Sequence, residues 1–228
     1  MRIVVYDCIT GDKLTEKHGS TGRQVIRWIK DYLPEADFSS VHIAGNAPPP
    51  DPGEVDGIII SGSEKGVYDD TAWMQALRDN LLQMRSAGVA MFGICFGHQI
   101  MADVFGGRAE KADTGFVTGT RQFNDRGTPT PAFLAHQDQV HKVPPDATVI
   151  ASAAHCPVAA LSYDFPALSV QFHPEYDRQF AADLIDIFGT ELMTADQQQA
   201  ARESLTTDIA DDLWCQEVAD FFREHCQQ

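Results

Sequence analysis

The first apolar run, Ile3-Val4-Val5-Tyr6, shows no polar alternation, the pattern of a strand covered on both faces. Asp56 to Ser61, centred on Ile58-Ile59-Ile60, and Val89 to Ile94 repeat it. Between these runs the period lengthens. Gly19 to Leu33 places Val25, Ile26 and Ile29 on one stripe of an amphipathic helix, and Thr71 to Ala87 reads as a second helix stopped by Gly88. Ser40 to Ile43 is a further short strand, and the proline-rich stretch 46–53 is a stiff connector too short to separate domains. Strands alternating with helices predict an open, mainly parallel α/β sheet with helices on both faces.

Beyond Arg108 the pattern changes to short strands and turns, which predicts a small antiparallel layer carrying His136 and His173. Tyr176 to Phe188 returns to helical spacing. The last residues hold two more helical patterns, Ala195 to Ser204 and Ile209 to His225, the second with Leu213, Val218, Phe221 and Phe222 available for an apolar face. The expected organisation is one α/β domain over residues 1–190 and a helical extension, 191–228, packed on it.

The chemistry is concentrated where strand becomes helix. In Phe92-Gly93-Ile94-Cys95-Phe96-Gly97-His98-Gln99 a cysteine stands between two glycines at such a junction. A turn of this kind thrusts the nucleophile outward, and its flanks must be small to avoid collision. The helix start favours the thiolate and offers free N–H groups to a developing oxyanion. A reactive cysteine needs a base. The apolar strand Leu168 to Phe172 ends in His173-Pro174-Glu175, so His173 is the candidate general base and acid, and Glu175 the group that orients its ring. Alone, the cysteine reads as a small core hydrophobe and the His-Pro-Glu as a turn. Their order, each at a strand end, turns the pair into a catalytic triad of Cys95, His173 and Glu175.

At this point the chain resembles the triad (class I) glutamine amidotransferases. The resemblance rests on Gly-Ile-Cys-Phe-Gly-His-Gln at 93–99, Gln-Phe-His-Pro-Glu at 171–175, Ile58 to Ser63, and His136-Gln137-Asp138-Gln139-Val140, and extends from about Arg2 to Phe188. Val67-Tyr68-Asp69-Asp70 with Trp73 is similar to free-standing members related to the glutaminase domain of GMP synthetase. The resemblance implies that peptide N–H groups at Gly62 and Phe96 form the oxyanion hole. It implies that Gln99, on the same helix face as Cys95, contacts the amino-acid part of the substrate, with Gln137 and Asp138 as further binding residues. It also implies a γ-glutamyl thioester mechanism without a cofactor.

Composition narrows the class. Thirty-three acidic against 17 basic residues give a net charge of −16, which argues against nucleic acid and anionic membranes as partners. Five cysteines without metal-type spacing look like reduced thiols, and the first strand begins at once with no signal peptide, so the expected compartment is the cytoplasm. His98, His136 and His173 lack the i, i+4 spacing of a metal pair, and no metal is expected. With no synthetase domain in the sequence, three functions remain open. The chain hydrolyses glutamine or a small γ-glutamyl compound for its own sake, supplies ammonia to a separate synthetase, or is a silent binding protein that keeps the fold.

Overall fold

The structure, a computed structural model, describes residues 1–11, 13–209 and 212–226. The elements run β1 (Arg2–Asp7), α1 (Thr15–His18), α2 (Thr21–Ile29), β2 (Asp37–His42), β3 (Gly57–Ile60), α3 (Ala72–Ala87), β4 (Ala90–Ile94) and α4 (Phe96–Val104). Seven strands follow, β5 (Arg108–Lys111), β6 (Val117–Asp125), β7 (Thr128–His136), β8 (Asp138–Lys142), β9 (Ala147–Ala153), β10 (Cys156–Tyr163) and β11 (Ala167–Val170). Three helices, α5 (Arg178–Leu192), α6 (Ala195–Ser204) and α7 (Asp212–His225), close the chain.

Nine strands form one mixed sheet in the order β2-β1-β3-β4-β11-β10-β9-β6-β7. From β2 to β11 neighbours are parallel, and from β11 onward they are antiparallel. The expected antiparallel layer is thus divided. β10, β9, β6 and β7 continue the central sheet, and only β5 and β8 form a separate two-stranded piece.

The continuous apolar runs are explained by burial on both sides. In β1, Ile3 and Val5 join Val25, Ile29, Val218 and Phe222 on one face, under α2 and α7. Val4 and Tyr6 join Leu77, Leu81, Ile100 and Met101 on the other, under α3 and α4. The strand at 40–43 is longer and earlier than the sequence suggests, because β2 is an edge strand whose residues are mostly exposed or half-buried and leave a weak pattern. Ile43 is buried in the 3-10 turn that follows.

Both C-terminal helices lie against this frame. α6 packs beside α5 and against β6, where Ala201 and Leu205 meet Phe133 and Ile185. The apolar face of α7 is Trp214, Cys215, Val218, Ala219 and Phe222; of the four residues expected there, Val218 and Phe222 are buried, Phe221 packs half-buried beside them and Leu213 is left out. Leu213 is 45% exposed, since it falls outside the i, i+3, i+4 stripe that Trp214 begins. The start expected at Ile209 precedes residues 210 and 211, which lie outside the described residues.

Candidate active site

Cys95 occupies the N-cap of α4, directly after β4, with φ 52° and ψ −101°. A non-glycine residue held there is strained, by about 1–3 kcal/mol. Packing holds it in place. A side chain on Gly97 would put its first carbon 2.3 Å from the Ile60 carbonyl oxygen, and one on Gly93 would come within 2.7 Å of the Gly97 backbone. Both glycines are therefore required for the helix to start this close to the sheet. The Cys95 N–H donates to the Val170 carbonyl at 2.8 Å, which ties the elbow to β11.

β11 delivers the second component. Just beyond it, the His173 N–H donates to the Phe133 carbonyl of β7 at 2.8 Å. The ring Nδ1 lies 2.8 Å from Glu175 Oε1, and the Tyr176 ring stacks on the imidazole at 4.0 Å between centroids and 10° between planes. Both side chains are out of solvent, 3% and 1% exposed. With Nδ1–H committed to Glu175, Nε2 is the free position, and among the described residues neither it nor Glu175 Oε2 has a hydrogen-bond partner. Burial by itself disfavours the imidazolium, but the charges of Glu175 and Cys95 outweigh it and hold the His173 pKa well above the ordinary imidazole value.

Gly62, in the loop after β3, closes the third side. A side chain there would put its first carbon 3.1 Å from the His173 ring and 3.7 Å from Cys95 Cβ, crowding the catalytic imidazole. The loop is pinned from below: Ser61 Oγ donates to the Gly62 carbonyl at 2.9 Å and accepts from the Cys8 N–H at 3.0 Å. The Gly97 N–H donates to the Ser61 carbonyl. The N–H groups of Gly62 and Phe96 find no acceptor among the described residues.

Gln99, 3% exposed, lies on the same helix face as Cys95. Its Nε2 donates to the Asp138 carbonyl at 2.9 Å and to Gln171 Oε1 at 3.1 Å, leaving only its oxygen for a ligand. Asp138 is buried and accepts from the Tyr68 hydroxyl at 2.9 Å; burial raises its carboxyl pKa. Gln137 and Asp138 line the same cavity of about 300 Å³ as Gly62, Cys95, Gln99, His173 and Glu175. His136 also lines it; its Nδ1 meets the Asp138 carbonyl at 3.2 Å, and burial pulls its pKa down to about 3. His98 does not reach the cavity. It is fully buried between Ser169 and Val158, and desolvation lowers its pKa to about 4.

One residue escaped the sequence reading. Gln171 donates from Nε2 to Cys95 Sγ at 3.6 Å while its oxygen accepts from Gln99. The signal was present, since Gln171 precedes His173 by two positions and residues i and i+2 on an extended segment share a side. Replacing Gln171 by leucine removes a donor to the sulfur while keeping the volume. An ordinary hydrogen bond is worth about 0.5–1.5 kcal/mol, so alkylation of Cys95 is expected to slow by roughly two- to tenfold. An unchanged iodoacetamide rate would remove Gln171 from the thiol's environment.

A strained cysteine at the carboxyl end of a parallel strand, facing a buried His–Glu pair, is the arrangement of a thiol-dependent amidohydrolase. Comparison with known proteins gives the family. The profile described as "Glutamine amidotransferase class-I" matches residues 20–185. Gamma-glutamyl peptidase 3 of Arabidopsis thaliana is 30% identical over 183 residues, 73% of this chain and 74% of the relative. A glutamine-hydrolysing GMP synthase of Thermus thermophilus is 34% identical over 164 residues, which cover 68% of this chain but 32% of that enzyme. The structure of a glutamine amido transferase from Methylobacillus flagellatus superposes with a TM-score of 0.75 at 17% identity, covering 100% of this chain and 95% of that one. The chain belongs to the class-I glutamine amidotransferase family.

Proposed function

We propose that this chain hydrolyses the γ-glutamyl amide bond of glutamine or of a small γ-glutamyl compound through a thioester on Cys95. The observation that carries the proposal is the meeting of the Cys95 elbow and the His173–Glu175 pair in one cavity. The Cys95 sulfur attacks the amide carbon, and the oxyanion is received by the unpaired N–H groups of Gly62 and Phe96. As the C–N bond breaks, His173 gives its Nε2 proton to the departing nitrogen. Water, deprotonated by His173, then splits the thioester, releasing glutamate and returning the thiol. Glu175 holds the ring and balances its charge throughout. The Gln99 oxygen suits the α-ammonium of the γ-glutamyl group, with Gln137 and Asp138 beside it.

A second reading, a glutaminase subunit feeding ammonia to a separate synthetase, is supported by the match to one third of a GMP synthase. A silent binding protein would not need the strained elbow or the two glycines that permit it. No helix among the described residues is long and apolar enough to cross a membrane. The cysteines Cys8, Cys95, Cys156, Cys215 and Cys226 are free thiols, which supports a reducing compartment such as the cytoplasm.

The test is glutamate release by the purified chain from a panel of γ-glutamyl amides, with the Cys95→Ala protein as blank. Release from at least one member is expected. Silence with an alkylatable Cys95 favours the partner-dependent subunit; silence with an inert Cys95 favours the binding protein.

A further inference from the structure

The cavity is lined by more than the catalytic and γ-glutamyl-binding residues, and much of its further wall is apolar. Phe180, Leu184, Phe188 and Leu192 line it at strict four-residue spacing along α5. They form a stripe about 18 Å long at ~1.5 Å per residue. The neighbouring face of the same helix, about 100° round at Ala181 and Ile185, packs on Phe133, Ala201 and Leu205. Core packing is thus met by one face of α5, and the stripe turns toward the cavity instead. Leu14, just before α1, and Phe116 extend the apolar wall, while Lys13 and Glu64 stand on the same cavity.

The stripe begins at the catalytic ring. Tyr176 stacks on His173 at 4.0 Å, and Phe180 lies 4.3 Å from Tyr176. In the proposed mechanism His173 passes its proton to the departing nitrogen, so whatever that nitrogen carries leaves on this side. Ammonia carries nothing that an apolar wall could bind. Phe180 and Leu184 are buried, with the His18 ring against Phe180 and Lys13 Nζ 5.5 Å from the centre of the Phe188 ring, whereas Leu192, 44% exposed at the mouth, leaves apolar surface open to a ligand.

On that reading of the reaction, we propose that the α5 stripe is a binding subsite for the amine half of the substrate, and that the substrate is a γ-glutamyl amide of an apolar, aromatic or branched-aliphatic amine. The balance is that of simple hydrolysis. The Sγ–C bond forms as C–N breaks, the nitrogen takes the His173 proton and departs as a neutral amine, and water regenerates the thiol with release of glutamate.

The experiment keeps the γ-glutamyl half constant and varies the amine: glutamine, γ-glutamyl methylamide, butylamide and phenethylamide. Burial of each methylene is expected to raise kcat/KM by roughly fourfold. The phenethylamide should therefore exceed glutamine by well over tenfold. Phe188→Ala should collapse that ratio toward unity, and Leu192→Ser, at the exposed end, should reduce it if the first variant does not fold. Calorimetric binding to the Cys95→Ala protein supplies a second readout, with the phenethylamide expected to bind at least tenfold tighter than glutamine. A flat or falling series with glutamine still hydrolysed overturns the subsite and leaves the hydrolase standing. Silence across the series overturns the hydrolase, and the calorimetry alone then decides the subsite: equal affinities for the two ligands refute it.

Discussion

Replacing Cys95 by alanine is expected to abolish both glutamate release and covalent capture of an electrophilic glutamine analogue. The loss should be complete within detection, because among the described residues no other cysteine lines the cavity. Cys8 and Cys156 are wholly buried, and burial raises both of their thiol pKa values far toward the neutral form. Cys215 and Cys226 lie in α7 and just after it, away from the cavity, with their sulfurs at the Trp28 and Asp56 carbonyls. Cys95 alone sits at a helix start, in the cavity and beside an imidazole. Alanine also fits the elbow: the strained φ remains, the sulfur goes, and the fold is expected to stay within about 1 kcal/mol of the parent. Peptide mass spectrometry after labelling gives the readout. Adduct on another cysteine, or label retained by the folded Cys95→Ala protein, would falsify the assignment.

The second large effect is expected at His173. Its removal takes away proton transfer in both half-reactions, and kcat/KM should fall by about 10²–10⁴. Glu175→Gln should cost the same or less, since the amide still orients the ring but no longer supplies charge. The two variants also differ in how activity depends on pH. Burial favours neutral His173, and the charges of Glu175 and Cys95 hold its pKa above the ordinary value. Removing the Glu175 charge leaves burial less opposed, so the His173 pKa moves down. The form able to protonate the leaving amine is then lost at lower pH, and the alkaline limb of the kcat/KM profile shifts toward acid. An unshifted limb in Glu175→Gln, or a Glu175→Ala variant markedly slower than His173→Ala with both proteins folded, would contradict the roles given to the pair.

The parts of this architecture that could be read from the sequence are those whose burial is symmetrical or whose turn chemistry is local. β1, β3 and β4 announce themselves because each is covered on both faces, so Ile3 to Tyr6 or Ile58 to Ile60 contains no polar interruption. The elbow was legible because Gly93 and Gly97 leave a local mark. β2 was displaced because Asp37 to His42 forms an edge that water reaches. The joining of β10 to β11 was hidden for a different reason. Periodicity reports which side of a strand is buried, not which distant strand it pairs with, and so the antiparallel strands looked like a layer of their own. Gln171 carries no signal of its own in the sequence, because a glutamine in an apolar strand reads as an accompaniment to His173, and only its contact with the sulfur sets it apart. The apolar stripe of α5 was visible as helical spacing, but spacing alone does not say whether such a face meets a core or a cavity.

The bond from the Cys95 N–H to the Val170 carbonyl has a consequence for the order in which the molecule comes apart. β4 and β11 are adjacent strands in the interior of a nine-stranded sheet, so nucleophile and base ride on the segments that open last. Leu14, which faces the α5 stripe, belongs to a segment anchored differently. It is held by Thr10 on Glu64, by Lys17 and His18 on Asp183, and by the four-residue helix α1. Such a segment can detach while the sheet remains whole. In rising denaturant the proposed amine subsite should therefore be lost first, with turnover of glutamine persisting until cooperative unfolding ends it.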